Sequence, residues 1–125
     1  MTENGIAGVV VDRALRIHRA LGPGLLESAY EECSFYELVN AGLLVERQKG
    51  LPLYYDSIKM DIGYRVDLLL NHKVIVELKA VDVLTDVHRA QVITYLKLSD
   101  CKLGLLINFN VALIKNGIQR LVNNL

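Results

Sequence analysis

Residues 64–80 read YRVDLLLNHKVIVELKA, and this stretch decides the fold. Two apolar segments flank the dipeptide Asn71-His72, a pattern that predicts two antiparallel strands joined by a tight turn. Asp67 interrupts the first apolar segment, while Glu77 and Lys79 interrupt the second. Charged side chains are rarely buried unless they are paired or bound to a metal ion. These three residues are therefore the first candidates for a functional site.

The rest of the chain carries alternating helix and strand signals. We predict helices at 6–21, 25–41 and 86–98, strands at 43–55, 59–70, 73–80 and 102–108, a short strand at 112–115 and a final helical turn at 117–123. Gly42 fits the end of the second helix, and Thr85 or Asp86 fits the start of the third. The order ααβββαβ(β)α predicts a single α/β (α+β) domain over residues 1–125, with helices flanking a central mixed sheet.

Composition narrows the class of protein. Hydrophobic residues make up 52% of the 125 and charged residues 22%, which is typical of a compact globular protein. The formal net charge of zero weighs against a strongly basic, indiscriminate nucleic-acid binder, although a local basic patch is compatible with it. Without a signal pattern or an apolar run of about 20 residues, we expect a cytoplasmic protein with no membrane partner. Cys33 and Cys101 are expected to be reduced thiols.

Strand geometry groups the charged residues by face. Because side chains alternate across a strand, Glu77 and Lys79 share one face. Asp67 is expected to share its face with Arg65 and Leu69. The opposite face is expected to carry Val66, Leu68 and Leu70. If the two strands form a hairpin, Asp67, Glu77 and Lys79 converge near one end of the sheet.

Two interpretations of that convergence stay open from the residues alone. Asp67 and Glu77 would be hard oxygen ligands for Mg²⁺ or Mn²⁺, and the ion would activate a water and stabilise charge on a phosphate. Lys79 would then position the attacking water or neutralise the phosphate. A cross-strand salt bridge between Lys79 and a carboxylate explains the same pattern equally well.

Several motifs in order resemble one family. Asp67 with Glu77-Leu78-Lys79 resembles the signature of the PD-(D/E)XK phosphodiesterase superfamily, with Val66 where the name has Pro. Residues 24–30, GLLESAY, match the GxxExxY motif that names one family within it, and residues 91–95, QVITY, resemble the Q-x-x-x-Y motif of its exonuclease-like branches. Together with a strand-like LGLLINF segment at 103–109, the resemblance covers residues 14–122. Ordered motifs are far more specific than any one of them.

The resemblance implies a restriction-endonuclease-like core and a nuclease that depends on Mg²⁺ or Mn²⁺. It also implies that Glu27 helps to hold the metal beside Asp67 and Glu77, directly or through water. A glutamate at the start of a helix also caps free N–H groups and complements the helix dipole, which is the structural alternative. Tyr30, one turn later, either orients Glu27 or is a core tyrosine with a bonded hydroxyl.

Gln91 and Tyr95 lie four residues apart on the third predicted helix and are expected on one sheet-facing stripe. A buried amide needs hydrogen-bond partners. Contact with Lys79, a metal-bound water or a substrate phosphate would satisfy Gln91, and a strand-end backbone group would do so equally well. We interpret both residues as supporting the site or contacting substrate.

Three functions follow from these residues. The first is a metal-dependent nuclease whose partner is nucleic acid; the residues are compatible with DNA or RNA, and DNA is the expected partner. The second is a nuclease fold with weak or no turnover that binds nucleic acid or protein as a regulatory module. The third is a structural protein with an ion-pair network. A homodimer is compatible with each, because exposed strand edges invite pairing.

Overall fold

The computed structural model describes residues 1–125, with Ile62 described by its backbone alone. Within the described chain, three α-helices accompany one five-stranded mixed sheet. The helices are α1 (Glu3–Leu21), α2 (Glu27–Asn40) and α3 (Asp86–Ser99), and the strands are β1 (Val45–Tyr55), β2 (Ile58–Leu70), β3 (Val74–Lys79), β4 (Leu103–Asn108) and β5 (Ile118–Val122). The predicted α/β (α+β) class with a central mixed sheet is confirmed. None of the described helices is long and apolar enough to cross a membrane.

The sheet has the order β1-β2-β3-β4-β5, and helices cover both of its faces. Neighbouring strands are antiparallel except for β3 and β4, which are parallel and connected through α3. One hydrophobic core lies between the sheet and the helices α1 and α2, and a second lies between the sheet and α3. β1 is an edge strand whose register shifts between Leu51 and Leu53, at Pro52, a residue that cannot donate to the ladder.

The third helix packs directly against the sheet at a glycine of β4. A Cβ atom placed on Gly104 would lie 2.7 Å from Cγ1 of Val92 in α3, so a side chain there would force the helix outward. Thr85 caps α3 by accepting a hydrogen bond from the His88 N–H, and the His88 ring accepts one in return from the Thr85 N–H. These contacts fix both the distance of α3 from the sheet and the residue at which the helix begins.

Tyr30 fixes the connection between α1 and α2. Its ring is fully buried and stacks on Phe109 with centroids 4.3 Å apart. Its hydroxyl donates to the Gly22 carbonyl at 2.6 Å and accepts from the Leu25 N–H at 3.2 Å. The connection also requires a left-handed backbone at Gly24 (φ 103°), which glycine adopts without strain. The first turn of α2 is thereby tied to the core.

The end of the chain differs from the prediction. The expected strand at 112–115 and helical turn at 117–123 are wrong: residues 114–117 form a short 3₁₀ turn, and Ile118–Val122 form β5. β4 is fully buried, so the polar groups on its free backbone edge need a partner strand, and β5 supplies it. Gly117 makes the turn possible, because a Cβ there would lie 2.1 Å from the Asn108 carbonyl oxygen.

We expect Tyr30→Phe to lower the free energy of unfolding by about 1–3 kcal/mol. The substitution keeps the stacked ring but leaves the Gly22 carbonyl and the Leu25 N–H without their buried partner. Urea denaturation measures the change. The matched control is Tyr36→Phe, since Tyr36 is 67% exposed on α2. Equal stability of the two variants would contradict this role for the hydroxyl.

Candidate active site

The strands β2 and β3 separate at the two carboxylates predicted from the sequence. Their pairing extends only from Leu70↔Val74 to Leu68↔Val76. At the next position the Asp67 N–H donates to Oε2 of Glu77 at 2.6 Å, and the Leu78 N–H donates to Oδ2 of Asp67 at 2.8 Å. Side-chain oxygens thus take the place of the backbone ladder. Each carboxylate is held by the backbone of the opposite strand.

Beyond this point the two strands have different partners. β2 continues along β1 as far as the pair Tyr55↔Ile58, while β3 continues along β4 as far as Lys79↔Asn108. A gap therefore opens between β2 and β3, with Asp67 and Glu77 at its closed end. The structure brings these two predicted residues together.

The predicted grouping of side chains by face is wrong at Val66. Val66 packs in the core beneath α3, whereas Leu68 lies in the core beneath α1 and α2. Simple alternation would place both on one face. The reversal coincides with Gln48, which lies between the β1 residues that pair with Val66 and Leu68 and has a φ of 48°. A left-handed residue at this position twists the β1–β2 ribbon, so Arg65 lies on the face opposite α3.

Burial raises the pKa of both carboxyl groups, so the two do not readily ionise together. Glu77 is 3% exposed, and burial, with the negative charge of Asp67 adding to it, raises its pKa to about 8. The pKa of Asp67 is also raised, chiefly by burial, although the hydrogen bond from the Leu78 N–H opposes the shift. At neutral pH the pair therefore retains a proton. A bound cation is the other means of compensating the second negative charge.

Lys79 and Gln91 meet across the site. The Lys79 ammonium donates to Oε1 of Gln91 on α3 at 3.5 Å. Among the side chains that the structure describes, Lys79 forms no ion pair within 4.0 Å, so the cross-strand salt bridge is not the arrangement adopted. Of the partners expected for Gln91, the structure shows Lys79.

Tyr95 lies near the same carboxylate pair. It is 5% exposed, one turn after Gln91 on α3. Burial raises the pKa of its phenol, and the negative charges of Glu77 and then Asp67 raise it further. The phenol therefore lies within electrostatic range of the carboxylate pair and is expected to stay protonated there.

Glu27 lies beside the site without joining the carboxylate pair. It is the first residue of α2, and its Oε2 accepts a hydrogen bond from the Ala80 N–H at 3.1 Å, directly after Lys79. Within the described residues, no group of three or more His, Cys, Asp or Glu side chains is spaced to hold a metal ion. The Tyr30 hydroxyl bonds Gly22 and Leu25 and so places the start of α2 through the backbone.

Two functional candidates were missed from the sequence, Gln48 and Glu31. The Gln48 amide donates both to Oε1 of Glu31 and to Oδ1 of Asp67, the latter at 3.1 Å. The negative charge of Glu31 also contributes to the raised pKa of Asp67. Arg47 holds Glu31 in place through an ion pair at 2.9 Å. Glu31 lies one turn after Glu27, which is a weak signal, while Gln48 is visible only once the β1–β2 register is known.

Asn108 is a third residue that sequence reasoning passed over. It ends β4 opposite Lys79 and is 2% exposed. Its side chain accepts from the Val81 N–H at 3.1 Å and donates to the Val81 carbonyl at 2.8 Å. The segment that leaves the site after Lys79 is thereby fixed to the sheet. An amide directly after a run of apolar strand residues is the signal that could have identified it.

Comparison with known proteins agrees with this geometry. Residues 4–121 match the family model described as the PD-(D/E)XK nuclease superfamily. The chain belongs to the PD-(D/E)XK nuclease superfamily. No curated protein and no solved structure matches it. PD-(D/E)XK nucleases generally use divalent metal ions.

The donor set of this PD-(D/E)XK protein fits such an ion. Mg²⁺ is typically bound by one or two carboxylates, with waters and substrate phosphate oxygens completing its shell. Asp67 and Glu77 supply two carboxylates in a buried position where a second negative charge is otherwise uncompensated. Each uses one oxygen for a backbone N–H. Hard oxygen donors of this kind suit Mg²⁺ or Mn²⁺.

We expect the metal-free protein to lose stability as the pH rises from about 5 to about 8. The pKa of Glu77 in the folded state, about 8, lies above its ordinary value of 4.5, so the folded protein binds a proton that the unfolded chain releases over this range. Since each pKa unit corresponds to about 1.4 kcal/mol, the loss should be a few kcal/mol. Urea denaturation in EDTA at several pH values measures it.

Glu77→Gln should flatten this pH dependence, because the amide keeps the shape of the carboxyl group but does not titrate. Asp82→Asn is the matched control, since Asp82 is exposed. If Glu77→Gln and wild type show the same slope of stability against pH, the buried proton does not reside at Glu77.

Proposed function

We propose that this protein is a Mg²⁺- or Mn²⁺-dependent nuclease that hydrolyses phosphodiester bonds in nucleic acid, with DNA as the expected substrate. The observation that carries the proposal is the carboxylate pair at the strand separation, where the backbones of β2 and β3 hold Asp67 and Glu77 together. Membership of the PD-(D/E)XK nuclease superfamily supports the same chemistry.

Each side chain has a role in this proposal. Asp67 and Glu77 would hold the ion, which lowers the pKa of water and stabilises negative charge on the phosphate. Lys79 would orient the attacking water or neutralise the phosphate as a new bond to phosphorus forms and the bond to the leaving oxygen breaks. Gln91 would set the position of the Lys79 ammonium through their hydrogen bond. The Tyr95 hydroxyl would donate a hydrogen bond to the substrate from α3.

We also assign the chain to the GxxExxY branch of the superfamily, on the strength of residues 24–30. In this proposal Glu27 would help to hold the metal, directly or through water, while its hydrogen bond from the Ala80 N–H keeps the end of β3 in place. Tyr30 supports Glu27 indirectly, by fixing the turn before α2. A homodimer remains a prediction; the sheet edges available for it are β1 and β5.

Cleavage assays test the proposed activity. Wild type should cleave labelled DNA or RNA when Mg²⁺ or Mn²⁺ is added and should not do so in EDTA. Glu77→Ala and Lys79→Met should each lower the rate by about 10²-fold or more, since each removes a group that acts on charge in the transition state. Lys97→Met is the control for Lys79, because Lys97 is exposed on α3. Equal residual cleavage by wild type and Glu77→Ala would reject the nuclease; binding without cleavage would favour the regulatory module.

Metal binding can be tested without any substrate. Titration with Mn²⁺ should raise the melting temperature of wild type, because a ligand that binds only the folded state stabilises it by about 2.7 kcal/mol at one hundred times its Kd. Asp67→Asn should remove most of this shift, while Asp82→Asn should retain it. An unchanged melting temperature of wild type at millimolar Mn²⁺ would count against the carboxylate pair as a metal site.

A further inference from the structure

The strands β1 and β2 extend past the site as a two-stranded ribbon, which we call the hairpin arm (residues 48–65). Their pairing continues from Lys49↔Val66 to Tyr55↔Ile58. One surface of the arm forms an open groove, lined among others by Gln48, Gly50, Lys59, Asp61, Gly63 and Arg65. The groove starts beside the site, since Gln48 is hydrogen-bonded to Asp67. It therefore begins next to the carboxylate pair that the proposed function assigns to the metal.

The floor of the groove is open because two glycines lie in it. A Cβ atom built on Gly50 or Gly63 would meet no atom within 4 Å, so the space above both backbones is free. Gly63 also has a φ of 81°, a conformation that favours glycine over other residues. A ligand backbone can approach the ribbon closely at these positions.

The groove carries two exposed cations. Lys59 and Arg65 are exposed, and within the described part of the chain neither forms an ion pair within 4.0 Å. They lie six residues apart on β2, but their β1 partners, Gly50 and Tyr54, are only four residues apart because of the register shift, which corresponds to about 13 Å along the ribbon. Asp61 lies between them, so the groove has a net charge of about +1 in a chain whose overall charge is zero. A spaced pair of cations on one surface suits two phosphates of the same polyanionic strand.

An exposed aromatic ring stands at the far end of the arm. Tyr54 pairs across the ribbon with Lys59 and is 61% exposed. Directly paired residues project from the same face of an antiparallel ribbon, so Tyr54 belongs to the groove side. An exposed phenol beside a cation is the combination that proteins use to hold unpaired bases by stacking.

We propose that the groove of the hairpin arm binds an unpaired strand of the nucleic-acid substrate, with phosphates on Arg65 and Lys59 and a base stacked on Tyr54. An unpaired strand fits better than a duplex because stacking requires an accessible base face and the ribbon offers one narrow surface. The inference rests on the proposed nuclease function for the identity of the ligand. The binding itself does not depend on catalysis.

Fluorescence anisotropy in EDTA tests this binding with labelled single-stranded DNA of about 20 nucleotides, longer than the usual site size. RNA of the same sequence and the corresponding DNA duplex are tested in parallel. Wild type should prefer the single strands. The double variant Lys59→Gln/Arg65→Gln should weaken binding about tenfold and reduce the salt dependence of log K by about 1.4, the value for two phosphate contacts. The control is Lys97→Gln/Lys115→Gln, which removes the same charge from exposed positions elsewhere.

The stacking contact has its own variants. Tyr54→Ala should weaken binding about fivefold or more, while Tyr54→Phe should retain it, because the ring and not the hydroxyl carries the contact. Tyr36→Ala is the control, since Tyr36 is 67% exposed on α2. Unfolding curves of all variants show whether a loss of binding reflects a loss of folded protein.

The outcomes separate this inference from the proposed function. The groove is rejected if wild type binds no single strand or prefers the duplex. It is also rejected if the control variants lose as much affinity as the arm variants. Cleavage by wild type combined with unchanged binding by the arm variants also overturns it and leaves the nuclease intact. Arm-dependent binding in a protein that cleaves nothing supports the groove and rejects the nuclease.

Discussion

The fold depends on the exchange of hydrogen bonds between two carboxylates and two opposing backbones. The Asp67 N–H binds Glu77, and the Leu78 N–H binds Asp67, so the ladder between β2 and β3 ends without leaving these buried N–H groups unpaired. The same bonds compel two acidic groups to lie together out of water, which their raised pKa values record. Burying two acidic groups together is unfavourable for stability alone, and the proposed cation-binding role would account for it.

Both helical layers contact the region of the carboxylate pair through specific residues. On one side Gly104 admits α3 close to the sheet, which brings Gln91 to the Lys79 ammonium. On the other side α2 begins where Glu27 can reach the Ala80 N–H. The gap between β2 and β3 is thus bounded by residues from both layers of the three-layer fold.

Much of the fold was predictable because its hydrophobic periods are clear. The core positions of α1 and the apolar runs of β3 and β4 identify their elements, and the order of motifs identifies the superfamily. The end of the chain was not predictable, since the short segment at 118–122 becomes a strand only because it pairs with the free edge of β4. The local sequence carries no signal for a strand that depends on pairing with a distant segment.

The candidate site was predictable in its charges but not in its surroundings. Asp67, Glu77 and Lys79 interrupt apolar strands and therefore stand out. Gln48 does not, because its importance arises from a left-handed backbone and from its place opposite Asp67, neither of which a periodicity reveals. The reversal of Val66 has the same origin, since alternation holds only while a strand keeps its regular twist.

The stacking of Tyr30 on Phe109 joins segments separated by most of the chain. A contact of such high sequence separation requires the intervening loop to close, which has an entropic cost. The turn that places Glu27 therefore waits for β4, as does the segment after Lys79, which Asn108 holds. During synthesis the two carboxylates and the lysine are made well before the residues that lock their neighbours in place. The complete arrangement is consequently a property of the finished fold, and a nascent chain that lacks its last quarter does not have it.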